Sequence, residues 1–126
     1  TSGHNMIAYC FHNVDSYSRV GSYTGNGSAT NGTFVHCGFR PAFLIVKRTD
    51  VGGEWLINDS ERDLYNPAST YLIPNSSGAE GVLNPSLDLL SSGFKWRTTN
   101  ANYNASGGTY IFLAFAESPF KHSNAR

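Results

Sequence analysis

The clearest pattern of apolar and polar positions lies between Gly38 and Asp63, where Phe43-Leu44-Ile45-Val46 is an unbroken apolar run rich in β-branched residues. Bounded by Pro41 and by the polar Lys47-Arg48-Thr49-Asp50, this run predicts a buried strand. Asp50-Val51-Gly52-Gly53 offers residues for the φ > 0 positions of a tight connection, and Glu54-Trp55-Leu56-Ile57-Asn58 returns as a second strand. A β-hairpin is expected here, with the rest of the chain packed around it. Asp59-Ser60-Glu61-Arg62-Asp63 reads as a polar surface exit.

Further strands are expected at Met6–Phe11, Tyr17–Tyr23, Thr33–Cys37, Thr70–Ile73, Leu87–Leu90, Phe94–Arg97 and Thr109–Phe115. In Phe94-Lys95-Trp96-Arg97 apolar and basic residues alternate, which places Lys95 and Arg97 on a wet face. Thr24–Gly32 and Asn100–Gly108 are Asn/Gly/Ser loops; no Gly-Lys-Ser/Thr follows the first, so its glycines are turn residues rather than a phosphate cradle. The stretch from Leu64 to Pro85, broken by Pro67, Pro74 and Pro85, is the least regular, with at most one helical turn at Ser77–Glu80. Many short strands, closely spaced turn signals and no sustained 3.6-residue period indicate an all-β fold, an antiparallel β-sandwich of jelly-roll-like kind with little helix.

Length allows one domain over residues 1–126, large enough to bury a core without staples. Nine basic and nine acidic residues cancel, so nothing in the charge points to nucleic acid or an anionic membrane. No run of apolar residues is long enough for a membrane span. With only 14 % charged residues, the surface must be made of Ser, Thr, Asn and Gly, a composition common in extracellular and virion β-proteins.

Candidate chemistry is sparse. No serine lies in a Gly-x-Ser-x-Gly elbow, and no enzymatic activity is expected. Asp59, Glu61 and Asp63 alternate as a Ca²⁺ site or a glycosidase pair would require, but Arg62 lies among them and a solvated loop is the better reading. Cys10, His12, His36 and Cys37 are zinc-type residues, yet His36 and Cys37 face opposite sides of a strand, so no metal or other cofactor is expected. Cys10 and Cys37 fit free buried thiols better than a bridge.

Binding has more support than catalysis. Tyr17, Tyr23, Tyr65, Tyr71 and Tyr103 lie in or beside polar segments, and rings next to asparagine-rich loops are what sugar recognition uses. The expected ligand-binding residues are Tyr23, Asn26, Asn31, Tyr65, Tyr103 and Asn104. Asn-x-Ser/Thr triplets begin at Asn26, Asn31, Asn58, Asn75 and Asn104.

An internal echo links the two ends of the chain. Ser2, Gly3, Ile7 and Phe11 match Ser106, Gly107, Ile111 and Phe115 at a constant offset of 104. Two readings stay open: similar strands of one sheet, or residues 1–12 as the closing strand of a preceding tandem unit of about a hundred residues.

Taken together, Gly21–Gly27 (GSYTGNG), Gly38–Asp50 (GFRPAFLIVKRTD), Leu72–Glu80 (LIPNSSGAE), Ser92–Phe94 (SGF) and Asn104–Glu117 (NASGGTYIFLAFAE) resemble a domain of unknown function abundant in marine bacteriophages. The resemblance covers nearly the whole chain. It implies a module of a tail fibre or related virion structural protein, located on the extracellular virion surface, with no catalytic residues to carry over. The expected partners are other virion subunits, a second copy in a homo-oligomer, and host cell-surface glycan. The alternatives are a ligand-free structural or decoration module and, third, a capsule-degrading glycosidase using Asp59 and Glu61.

Overall fold

The described residues form eight strands, with alternation in burial clearest in β3, β4 and β8: β1 (Ser18–Thr24), β2 (Phe34–His36), β3 (Pro41–Arg48), β4 (Trp55–Asp59), β5 (Ala68–Tyr71), β6 (Gly81–Leu90), β7 (Gly93–Trp96) and β8 (Thr109–Ala116). They belong to a computed structural model that describes residues 3–119. The first sheet has the order β1-β8-β3-β4 and the second β2-β7-β6-β5, both antiparallel. The protein is an all-β sandwich. Its terminal strands nest, β1 against β8 and β2 against β7, while β3–β4 and β5–β6 close as local hairpins. The expected central hairpin is present, and β3 is an inner strand of its sheet.

Leu44, Val46, Leu56, Tyr110, Phe112 and Ala114 point inward from the first sheet and meet Val35, Leu87, Leu89, Phe94 and Trp96 from the second. Aromatic rings fill the middle. Tyr23 stacks on Tyr110 with centroids 4.8 Å apart and planes 7° apart, Trp96 lies 4.6 Å from Tyr103, and Phe94 meets Phe112 edge-on at 5.4 Å. Each such side chain contributes about 1.5–3 kcal/mol of apolar burial, which makes this cluster the main stabilising unit.

The two lateral sides of the sandwich differ. On one, Ile57 of β4 and Leu72, just beyond β5, exchange backbone hydrogen bonds of 2.9 and 3.0 Å, joining the sheets. On the other, β1 and β2 are both edge strands and no described strand pairs with their outer sides. This side is open.

Several expectations are corrected. Met6–Phe11 is not a strand: Asn13 Oδ1 accepts the Val20 N–H at 2.6 Å and Ser18 Oγ donates to His12 O at 2.9 Å. These side-chain bonds occupy the start of the β1 edge, and Phe11 turns aside to pack on Phe115 at 6.2 Å. The helix among the described residues is α1 (Ala101–Asn104), inside the expected Asn100–Gly108 loop, where the Asn100 side chain caps the Asn102 N–H at 2.9 Å. β6 runs straight through Pro85 because the β5–β6 register shifts there, and a bulge demands no ladder bond from proline. Neither Gly52 nor Gly53 has positive φ, since the connection from Thr49 to Glu54 is long enough to turn without it. Cys10 is exposed and Cys37 buried, both free, so the expectation that Cys10 is buried fails with its strand.

Candidate functional site

β1, β3 and β7 end where β2, β4 and β8 begin, so the Thr24–Thr33, Thr49–Glu54 and Arg97–Gly108 connections gather at one end of the sandwich. Five of the six expected binding residues lie here. They divide into a buried frame and an exposed rim.

The frame centres on Asn104, which is fully buried. Its Nδ2 donates to Asn26 Oδ1 at 3.1 Å, Ser28 O at 3.0 Å and Thr98 O at 3.0 Å, while its Oδ1 accepts from Asn26 N at 3.0 Å and Thr33 Oγ1 at 3.1 Å. One amide thus uses its donors and acceptor to tie the first loop to the third. Tyr23, 9 % exposed, donates its hydroxyl to Tyr103 O at 2.7 Å, and Tyr110 Oη donates to Ala101 O at 2.7 Å while accepting the Ala105 N–H at 2.8 Å. Two core tyrosines therefore carry α1.

Burial pushes the Tyr23 and Tyr103 phenols above their ordinary range. Ser86 and Asn58 stand beside the Tyr103 hydroxyl and oppose its shift, but none of the three polar atoms meets direct hydrogen-bond geometry. Arg48 pairs with Asp50 through two bonds of 2.8 and 2.9 Å, and this pairing holds the Asp50 carboxyl well below the usual carboxylate range. Asp50 Oδ1 also accepts the Thr109 N–H at 3.2 Å, bringing the second loop into the same frame.

The rim is what solvent meets. Asn31 receives Lys95 Nζ on its Oδ1 at 3.2 Å, and its carbonyl accepts Asn26 Nδ2 at 2.7 Å. Asn26, Asn31, Thr30 and Asn102 present polar groups there. Tyr65 is brought nowhere near them; it lies on the β4–β5 connection at the other end, 85 % exposed. The expectation of stacking rings beside the asparagines is thus corrected for Tyr23 and Tyr103, whose faces are core.

Trp55, at the start of β4, supplies what the sequence reading assigned only to a strand. Its outward indole is 36 % exposed, beside Lys47 in register, and Asn75 Oδ1 accepts its backbone N–H at 3.1 Å while Asn75 Nδ2 donates to Glu54. The available signal was its place on the odd-numbered, outer face of the hairpin.

The other candidates resolve into structure. Asp59 accepts the Glu61 and Arg62 N–H groups at 3.1 and 2.8 Å, and Asp63 accepts those of Ser69 and Thr70 at 2.8 and 2.6 Å, so the acidic alternation serves turns. Among the described residues no three His, Cys, Asp or Glu side chains gather as metal ligands would. Of the Asn-x-Ser/Thr triplets, Asn58 and Asn104 are buried. No helix among the described residues is long and apolar enough to cross a membrane.

No curated protein and no solved structure matches the chain. A family model described as a domain of unknown function, DUF7483, matches residues 1–119, a span that includes both the sandwich and the segment before it; the chain belongs to this family.

Proposed function

We propose that the chain is an adhesive β-sandwich module of a bacteriophage tail fibre or related virion surface protein, and that it binds carbohydrate at the asparagine-rich end. The observation that carries the reading is the Asn104 frame: it holds Asn26 and Asn31 in place, so their polar groups meet a ligand already ordered. Trp55 offers a flat apolar face for a pyranose ring on the adjoining side, and the phage placement rests on the motif resemblance described above. A glycan array that includes host cell-surface polysaccharide tests this. Binding is expected, with Asn31→Ala, Asn102→Ala and Trp55→Ala each weakening it about tenfold at unchanged melting temperature. Silence across glycans and host cells overturns it.

A second reading, a ligand-free structural module packed among other virion subunits, is favoured by the outer face of the first sheet. Val20, Leu113, Ile45 and Ile57 form one cross-strand apolar row on it, flanked by Phe43, Phe115 and Ile111. Apolar rows on a sheet's outer face mark contact with another protein. Under this reading the Asn31, Asn102 and Trp55 variants leave host adsorption unchanged.

A further inference from the structure

We propose that the open edge formed by β1 and β2 accepts the Met6–Phe11 segment of a second copy of the chain as an added strand. Backbone groups of β1 alternate in direction. Odd-numbered residues bond β8, as Ala116 N to Tyr17 O and Gly25 N to Gly108 O show at 2.9 and 2.8 Å, so Ser22 directs its N–H and C=O outward. In β2 the groups of Thr33 and Cys37 bond β7 and its turn, leaving Phe34 and His36 directed outward. None of these outward backbone groups has a partner among the described residues. Between the two edges lies a cleft of about 360 Å³ whose lining includes Tyr23, Phe34, Val35 and Phe112.

The same chain holds a segment suited to that cleft. Met6, Ile7 and Tyr9 are 88, 81 and 81 % exposed, an apolar run with strand-forming residues and no place in its own fold. It echoes β8, the strand that β1 already pairs on its other side. Its own β1 is closed to it: Asn13 occupies Val20 N, Ser18 holds His12 O and Phe11 is seated on Phe115, so the chain leaves the edge before reaching Ser22. A second copy meets no such obstacle. Its residues 6–10 can pair with Ser22 or Phe34, place alternate apolar side chains in the cleft and close the open side as Ile57 and Leu72 close the other. A net charge of zero sets up no repulsion between copies, and reciprocal exchange gives a closed two-fold dimer rather than a growing fibre.

Sedimentation velocity of the full chain tests this, with three variants. Ile7→Asp with Tyr9→Asp removes the donor, and Ser22→Pro blocks the acceptor edge; Phe34→Asp is a second acceptor variant that spares the backbone. A dimer is expected for the parent chain, with each variant alone weakened about tenfold or more while its circular dichroism stays that of the folded chain. An equimolar mixture of donor and acceptor variants is expected to regain dimer, because one intact donor then meets one intact acceptor. A parent chain that stays monomeric at every concentration, a dimer indifferent to both kinds of variant, or a mixture that regains nothing overturns the proposal. The outcome is independent of glycan binding: a chain silent on the array that dimerises in this way leaves the proposal standing.

Discussion

Asn26 and Asn104 are joined by a reciprocal pair of bonds across 78 residues: Asn26 N donates to Asn104 Oδ1 at 3.0 Å, and Asn104 Nδ2 donates to Asn26 Oδ1 at 3.1 Å. This pairing adds to the backbone bonds that Gly25 and Gly27 make with Asn104, Gly107 and Gly108, and it brings a buried amide into the joint between the first and third loops. Asn104→Ala is expected to cost about 2–4 kcal/mol, because it strands buried donors and acceptors on three segments. Asn104→Asp has the same shape but no donors toward Ser28 and Thr98, and it should cost a similar amount. Urea unfolding of both variants checks this; a loss within experimental error for either would show that the frame does not hold the loops.

Tyr23 joins the core stack to α1, and its two roles separate by substitution. Tyr23→Phe keeps the ring on Tyr110 and loses only the bond to Tyr103 O, for about 1 kcal/mol. Tyr23→Ala also opens the core, for about 3–5 kcal/mol. Thermal melts of the pair are expected to differ accordingly, so loss of adsorption in Tyr23→Ala would report unfolding rather than a lost contact.

Two glycines make opposite predictions. A Cβ at Gly32 would lie 2.0 Å from the Trp96 carbonyl oxygen, a backbone atom that cannot move aside, whereas one at Gly52 meets nothing within 4 Å. Gly32→Ala should therefore destabilise by about 2 kcal/mol or more, and Gly52→Ala should be neutral or stabilise by about 0.4–1 kcal/mol. Chemical denaturation of the two variants side by side is the check.

Stability should fall at both extremes of pH for identifiable reasons. Burial raises the Tyr23 and Tyr103 phenols and moves the Cys37 thiol from 9.0 to about 12. Unfolded, the thiol and phenols lose protons that the folded chain keeps, so their contribution is complete below about pH 9 and is lost as pH rises beyond it. Asp50 works in the opposite sense: Arg48 lowers its pKa from 3.8, so its contribution is complete above that value and is lost as pH falls below it. Melting temperature against pH, with Asp50→Asn flattening the acid limb and leaving the alkaline limb unchanged, tests the assignment.

The thiols should react separately. Cys10 is exposed and Cys37 buried in the single chain, so in the dimer-deficient Ile7→Asp, Tyr9→Asp variant one thiol is expected to react promptly with an aromatic disulfide reagent, and the second only on unfolding. Prompt reaction of both would contradict the packing of Cys37.

What the sequence determined by itself was the set of strands whose pattern is local. The Phe43–Val46 run, the Phe94–Arg97 alternation and the long apolar Thr109–Phe115 stretch each became a strand, the second with Lys95 and Arg97 on its wetter face, because side-chain period and β-branched content act over a few residues. Tertiary structure alone decided which way the loop-flanking residues face. Tyr23, Tyr103 and Asn104 read as surface because their sequence neighbours are polar, but pairing of β1 with β8 closed the two loops over them and made them core. The same long-range choice let β6 pass through Pro85 at a bulge and left Met6–Phe11 without an edge of its own. A residue's environment is set by what arrives from far along the chain, and a pattern with a period of two residues carries no record of that.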